Sequence, residues 1–387
     1  MARWERRDVV VRTSATGHEL TAPVFVARGR QERPLAYVQA NVHGGELQGN
    51  AAILALFDAL ERESLRGTVV LVPRVNPIGA NQQLGDYVSG VYDVLTGTNF
   101  NRGYLNLTGP SRSAASCYVD VDSFAAAHLS STVGEIREGF RASLLAALEA
   151  VEEEARPWGA DTRLDLALPI QRMAVEADLI LDLHTGDRAP RYLYVPEGAI
   201  AAARAFGFPF VLEVPARFGG ALDEASFVPW QDLSEAFVRL GRADVPRLVD
   251  GFTVELGSMN SFSIEAGRQD ARRIASALRH YGILDGEPEE PPARITACSV
   301  SDYRSLHAPV GGLVDFAVEP GTPVKEGDVV ARLVDFSRCR TLPPRATDAV
   351  VEVRAPADGI ALLFHAFSSV PKGARLFSMM TRTRLLQ

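Results

Sequence analysis

The stretch Asn41-Val42-His43-Gly44-Gly45-Glu46 organises the chain on both sides of it. An apolar run over 35–42 leads into it and predicts a buried strand, and apolar residues at helical spacing over 47–62 predict a helix after it. A histidine and a glutamate, three residues apart, therefore follow the end of a strand. We expect the two glycines between them to turn both side chains toward one point, because glycine adopts backbone angles that other residues resist.

His43 and Glu46 are residue types that bind zinc. A catalytic zinc site usually combines three protein ligands with one position for water, so the pair predicts two of three ligands. The alternative is a polar strand-to-helix turn, in which Glu46 interacts only with the dipole of the following helix.

His184 is the predicted third ligand. It ends the run 178–184, which is apolar enough for a central strand, and open α/β sheets bind ligands at the carboxyl ends of their strands. Asp182 precedes it on the same face of that strand, where its carboxylate either orients an imidazole or is a buried structural group. The alternative for His184 is a histidine that is hydrogen-bonded only to the backbone. With His43 and Glu46 it predicts a site for one zinc ion per chain.

Glu255 is the predicted catalytic carboxylate. It lies near the end of the apolar strand 251–256, and a buried carboxylate is costly unless it is paired or used. Beside a zinc-bound water, such a group can remove a proton and later deliver it to a leaving amine. A salt bridge to an arginine is the alternative.

Asn101 and Arg102 form the predicted substrate-binding pair. They lie in the long irregular loop, and the planar guanidinium of Arg102 can hold a carboxylate through two hydrogen bonds, to which Asn101 adds a third. An ordinary surface arginine is the alternative.

Composition narrows the class of protein. The 387 residues are 47% hydrophobic and 23% charged, which predicts a globular protein of about two domains. A net charge of −8 argues against binding to nucleic acid. Without a long apolar run or a signal-like N-terminus, we expect no membrane span and a cytoplasmic location. Three cysteines far apart in the sequence agree with reduced thiols.

Strands alternate with helices through the first 290 residues. This pattern predicts an α/β fold with a mostly parallel or mixed central sheet and helices on both faces. The irregular stretch 76–131 is interpreted as a wall of the substrate site, with a disordered segment as the alternative. The predicted strands are 8–13, 20–27, 35–42, 68–75, 178–184, 191–195, 209–214 and 251–256, and the predicted helices are 47–62, 133–155 and 266–281.

An acidic, proline-rich stretch at 286–293 predicts a domain boundary. We expect a catalytic domain over 1–290 and a β-rich domain over 291–387. The second part contains two similar segments with Gly and Pro at turns, which predicts a small barrel or sandwich.

Four motifs of this chain resemble, in their order, those of the succinylglutamate desuccinylase/aspartoacylase family, a branch of the zinc carboxypeptidase-like hydrolases. In order, they are His43-Gly-Gly-Glu46, Asn101-Arg102, Asp182-Leu-His184-Thr-Gly186 and Glu255-Leu-Gly257. The resemblance covers about residues 35–285 and implies a zinc-dependent hydrolase that cleaves the amide of an N-acyl amino acid. It also implies the roles already considered: zinc ligands at His43, Glu46 and His184, a general base and acid at Glu255, and a carboxylate site at Asn101 and Arg102.

The chain departs from the family pattern in two places. Aspartoacylase-like members carry an arginine shortly before the Asn-Arg pair that helps to polarise the scissile carbonyl, and here no arginine lies between Arg74 and Arg102. Arg188, Arg191 and Arg268 are the candidate substitutes. A long insert over 103–175 predicts a pocket that differs from those of the named enzymes.

The C-terminal part resembles biotinyl/lipoyl barrels. Such carriers need a lysine at the hairpin tip, and none lies between Leu333 and Val353, which argues against a carrier or scaffold subunit. The barrel then either covers the active site or supports contacts in a homo-oligomer.

Two alternatives to a deacylase of small N-acylated carboxylates stay open. One is a metallocarboxypeptidase that acts on peptides, and the other is a non-catalytic metal- or ligand-binding protein of the same fold. The presence of Glu255 favours an enzyme, and a lid formed by the barrel would exclude long peptides.

Overall fold

A ten-stranded mixed sheet forms the centre of the molecule. The computed structural model describes residues 2–109 and 117–386. Its strands are β1 (Arg3–Thr13), β2 (Glu19–Arg28), β3 (Leu35–Ala40), β4 (Thr68–Val72), β5 (Gln83–Leu84), β6 (Tyr87–Val88), β7 (Leu179–Gly186), β8 (Arg191–Pro196), β9 (Phe210–Val214), β10 (Asp250–Ser258), β11 (Ile295–Ser299), β12 (Tyr303–His307), β13 (Gly312–Phe316), β14 (Thr322–Val324), β15 (Val329–Val334), β16 (Val350–Arg354), β17 (Gly359–Phe364), β18 (Ser369–Val370), β19 (Arg375–Met380) and β20 (Arg384–Leu386).

Helices cover both faces of this sheet, and a short one lies in the C-terminal part. They are α1 (Gln48–Arg62), α2 (Pro77–Ala80), α3 (Val121–Ala127), α4 (Val133–Ala155), α5 (Thr162–Val175), α6 (Ile200–Phe206), α7 (Leu222–Arg239), α8 (Ile264–His280) and α9 (Ala346–Ala349). None of those within the described ranges is long and apolar enough to cross a membrane.

The sheet has the strand order β1-β2-β4-β3-β7-β10-β8-β9-β11-β20. Strands β4, β3, β7 and β10 are parallel neighbours, whereas β8 pairs antiparallel with β10. The predicted α/β fold with a mixed sheet is confirmed. Because β3, β7 and β10 run side by side in one direction, their carboxyl ends meet at one edge, which brings together segments far apart in the sequence.

Alternate residues of the central strands face two separate cores. Val38 packs with α1, α6 and α8 on one face, whereas Tyr37 packs with α4, α5 and α7 on the other. On this second face the sheet also buries polar side chains, among them Gln39, Asp182 and Thr253. A polar patch in the middle of a sheet is costly unless it is hydrogen-bonded, so this face is where a functional site is expected.

Helices α5 and α7 on that face were absent from the sequence-based prediction. Helix α5 contains Pro169 and helix α7 contains Pro229. Proline removes a helical hydrogen bond and usually ends a helix, so the local sequence argued against both of these helices. Packing compensates, because α7 buries most of one side, including Trp230. Within the 103–175 insert the structure places α3, α4 and α5, and residues 110–116 lie outside the described part.

The C-terminal part contains two four-stranded sheets, β12-β19-β17-β14 and β16-β15-β13-β18, around a core of their own. Strands β11 and β20, which flank these sheets in the sequence, extend the ten-stranded sheet instead. The division into 1–290 and 291–387 stays a proposal, and by strand pairing the separate sheets span residues 303–380.

Candidate active site

The turn that carries His43 and Glu46 is held by Asn41. This residue has a left-handed backbone (φ 67°), and its Nδ2 donates hydrogen bonds to the carbonyl oxygens of His43 (2.9 Å) and Gly44 (3.1 Å). The expectation that the glycines supply unusual backbone angles is wrong, since neither has a positive φ. Gly44 is needed for space, because a Cβ there would lie 2.3 Å from the carbonyl oxygen of Gly79.

His43, Glu46 and His184 converge at the edge of the sheet. One ligand atom from each lies within 4.8 Å of the other two, and all three side chains are buried. Glu46 bridges the histidines, with Oε1 2.8 Å from His43 Nδ1 and Oε2 2.7 Å from His184 Nδ1. The backbone N–H of Thr185 also donates to Glu46 Oε2, at 3.2 Å.

The outer nitrogens of both imidazoles are held by acceptors. His43 Nε2 lies 2.9 Å from Asn99 Oδ1, and His184 Nε2 lies 2.8 Å from Asp182 Oδ2. Gln39 Nε2 in turn donates to Asp182 Oδ1 at 2.8 Å. If each Nε2 carries the proton, the Nδ1 lone pairs face the carboxylate of Glu46. Such a convergence of acceptors needs a cation between them, and this donor set fits a zinc ion.

The electrostatics of the group agree with a site for a cation. Burial opposes the charge on Glu46, but the neighbouring histidines outweigh it and lower the pKa of Glu46 below its ordinary value. Burial likewise opposes a charged His184, but the carboxylates of Asp182 and Glu46 outweigh it and raise its pKa well above the ordinary value.

Glu255 lies next to this group on β10. It is opposite His184 in the parallel pairing with β7 and opposite Tyr192 in the antiparallel pairing with β8. Burial raises the pKa of Glu255 to about 8. Its Oε2 is buried and has no hydrogen-bond partner within the part of the chain that is described. The predicted alternative, a salt bridge to an arginine, does not occur there. A raised carboxyl pKa in a cleft is typical of a proton-transferring group.

Asn101 and Arg102 lie on the other side of His184. Asn101 is buried, with Nδ2 3.1 Å from His184 Nε2, and its Oδ1 accepts a hydrogen bond from the Leu222 N–H at 3.2 Å. The Arg102 side chain is exposed and donates to the Asn101 carbonyl oxygen at 2.6 Å. Both residues border the cavity described next, and their role as a carboxylate site stays a prediction.

A cavity of about 470 Å³ opens above these side chains. It is bordered by the six residues predicted from sequence, His43, Glu46, Asn101, Arg102, His184 and Glu255. It is also bordered by residues to which the sequence analysis gave no role, above all Asn99, Tyr194, Arg217, Asp223 and Thr253.

Arg217 is the cationic side chain that the sequence analysis missed. It is exposed, and its guanidinium forms no ion pair with the residues that the structure describes. The three substitutes proposed for the absent family arginine lie elsewhere: Arg188 pairs with Glu319, Arg191 with Asp270 and Arg268 with Glu265. The Gly219-Gly220 turn after β9 was the only available signal, since such turns often form site walls.

The catalytic-domain model of the succinylglutamate desuccinylase/aspartoacylase family matches residues 32–281. The chain therefore belongs to this family of deacylases. A crystal structure of a family protein from Shewanella frigidimarina is 34% identical with a TM-score of 0.92, and each chain is covered in full. A second, from Shewanella amazonensis, is also 34% identical, with a TM-score of 0.91 and coverage of 99% of this chain and 100% of that one.

A curated relative has a named activity. The N-alpha-acetyl-L-2,4-diaminobutyric acid deacetylase of Halomonas elongata is 27% identical over 356 residues, which are 90% of this chain and 81% of the relative.

Proposed function

We propose that the protein is a zinc-dependent deacylase that hydrolyses the amide bond of a small N-acyl amino acid. The main support is the convergence of His43, Glu46 and His184 beside Glu255, one buried oxygen of which has no partner among the residues that the structure describes. Membership of a deacylase family and the named activity of the Halomonas relative agree with it.

Three residues would hold the metal and one would move the proton. His43, Glu46 and His184 would be the ligands, and the bound zinc would supply a Lewis acid that acidifies water and polarises a carbonyl. Glu255 would accept a proton from the attacking water at Oε2. The same oxygen would then deliver this proton to the nitrogen of the leaving amine as the amide bond breaks. The Nε2 contacts of Asp182 and Asn99 would keep both imidazoles oriented.

Two guanidinium groups are available for the substrate. Arg102, with Asn101 beside it, would hold the substrate carboxylate through paired hydrogen bonds. Arg217 would supply the second positive charge, to the same carboxylate or to the acyl oxygen. A cavity of about 470 Å³ is of the size that encloses a small molecule, which favours an N-acyl amino acid over a long peptide.

Metal content and amine release test the proposal together. We expect about one zinc per chain after loading, as expected for a site of three protein ligands, and amine release from some member of a panel of N-acetyl and N-succinyl amino acids. The panel should include the substrate named for the Halomonas relative. Peptides with a free C-terminus, assayed in parallel, measure the metallocarboxypeptidase alternative.

Variants of the ligands make the test specific. His43→Ala and His184→Ala should each lose the zinc, whereas His280→Ala, at the exposed end of α8, should keep it. Full zinc content in either ligand variant would contradict the assignment. A zinc-loaded wild type that releases amine from no panel member would contradict the deacylase, and it would favour the non-catalytic binding protein if peptides were also untouched.

A further inference from the structure

The cavity contains one carboxylate that the proposed mechanism does not use. Four carboxylate side chains border it, those of Glu46, Asp223, Glu224 and Glu255. Glu46 lies between the histidines, and Glu255 is the proton carrier. Glu224 accepts hydrogen bonds from the backbone N–H groups of Gly219 and Ala221 before α7. Asp223 remains.

Asp223 is buried without a cation. Only 6% of it is exposed, and it forms no ion pair within residues 2–109 and 117–386. Its Oδ1 accepts the Glu224 N–H at 2.9 Å, and the Thr253 hydroxyl lies beside it. Burial raises its pKa to about 6. A buried carboxylate shifts in this direction when no positive partner offsets the cost of burying its charge.

A metal ion is not the missing partner. In the described part of the chain, His43, Glu46 and His184 form the one group of three or more side chains able to hold a metal, and Asp223 is outside it. One carboxylate beside a hydroxyl is instead suited to a single charged nitrogen, which has few hydrogen-bond donors and a unit charge.

Asp223 is joined to the predicted carboxylate site. It follows Leu222, whose N–H donates to Asn101 Oδ1 at 3.2 Å, and Arg102 is the next residue in the chain. A cavity wall thus presents a guanidinium and a buried carboxylate on adjoining segments. An amino acid held through its carboxylate at Arg102 would therefore share this cavity with Asp223.

We propose that Asp223 is a specificity-determining residue that binds an ammonium group on the side chain of the amino-acid half of the substrate. The substrate class is then an N-acylated diamino acid. This inference rests on the proposed deacylase function and adds to it the charge of the side chain.

Matched substrates test the inference in the wild-type enzyme. Nα-acetyl-L-2,4-diaminobutyrate and N-acetyl-L-norvaline have nearly the same shape but differ by one charge, and Nα-acetyl-L-ornithine and N-acetyl-L-norleucine form a second pair. We expect kcat/KM to favour the charged member of at least one pair by roughly 10- to 100-fold, because a buried polar group is left unpaired by the neutral one.

A substitution of Asp223 on α7 tests whether this residue causes the preference for the charged substrate. Asp223→Asn should lower the charged-to-neutral ratio of kcat/KM at least tenfold at unchanged zinc content. Asp232→Asn, on the same helix but bonded to Thr108 away from the cavity, should keep the ratio. Calorimetry with free L-2,4-diaminobutyrate and L-norvaline should give the same order of affinity, independently of turnover.

Two results would overturn the ammonium site and leave the deacylase standing. One is a ratio near one for both pairs in the wild type, and the other is an unchanged ratio in zinc-loaded Asp223→Asn. Hydrolysis of no N-acyl amino acid at all would instead refute the proposed function, and the ammonium site with it.

Discussion

At the residue scale, the buried polar groups of the candidate site differ in how many hydrogen-bond partners they have. Each imidazole has an acceptor at its outer nitrogen, and Glu46 is bonded through both oxygens. Glu255, by contrast, keeps one buried oxygen without a partner among the described residues. Groups with full sets of partners hold geometry, whereas an unpartnered one is available for chemistry.

Glu255→Gln should separate metal binding from proton transfer. The amide has almost the same shape but cannot accept a proton, so we expect kcat to fall by roughly 10²- to 10⁴-fold. Zinc content should not change, because Glu255 is not in the three-ligand group. Elemental analysis and steady-state amine release on one preparation measure both. An undiminished kcat at full zinc content would contradict the general-base role.

At the scale of secondary structure, the packing of α1 against α8 supports the metal-binding turn. Helix α1 begins two residues after Glu46, and its first residue, Gln48, donates to Asp270 Oδ2 on α8 at 2.9 Å. Where the helices cross, a Cβ on Gly267 would lie 2.6 Å from the backbone of Ala51. Two backbones this close transmit any shift of α8 to α1.

Gly267→Ala should therefore destabilise the protein. Alanine is the better helix former by about 1 kcal/mol, but the clash is with backbone that cannot move freely, and overpacking of this kind costs about 1–3 kcal/mol. Gly134→Ala is the control, since it is also helical but the nearest atom to its Cβ would be 3.9 Å away. Denaturant unfolding should show a loss for the first and a gain for the second. Equal changes in both would show that helix propensity, not packing, decides.

At the scale of the whole molecule, the C-terminal sheets brace the segment that follows His184. Arg375 pairs with Asp187 at 2.7 Å, and the Phe364 N–H donates to the Arg188 carbonyl oxygen at 2.8 Å. An apolar cluster lies between the two parts and contains residues of both, among them Leu212, Cys298, Ile360, Leu362 and Met380. Because each part contributes residues to this cluster, we expect the two parts to unfold together.

Leu362→Ala should weaken this shared cluster. Leu362 is fully buried, and such truncations cost about 2–5 kcal/mol, so the single unfolding transition should shift as a whole. Leu313→Ala, in the same sheets but half exposed, should shift it little. Two separate transitions, with only one shifted, would contradict cooperative unfolding.

The alkylation rate of the buried Cys298 thiol reports whether the same cluster opens. Burial raises the pKa of its thiol to about 12, so at pH 8 it stays protonated and should resist alkylation until the cluster opens. We expect Leu362→Ala to speed alkylation of Cys298 at pH 8, as measured by peptide mass. An unchanged rate at reduced stability would place the opening elsewhere.

The sequence by itself was sufficient for the α/β class, the family and the main candidate residues. The strand before His43 and the strand that ends at His184 are local apolar runs, and the site motifs are short and adjacent to them. Local patterns of this kind are written in neighbouring residues, so they can be read without the fold.

Only the tertiary structure decided what surrounds these residues. Helices α5 and α7 form despite internal prolines because long-range packing outweighs local propensity. The same packing brings Asp223 and Arg217, more than a hundred residues after Arg102, to the wall of one cavity. It also explains why residue 44 is a glycine: the backbone of Gly79 leaves no room for a Cβ there, and no unusual backbone angle is required. Contacts between distant segments depend on how strands pair and helices pack, and no short stretch of sequence contains that information.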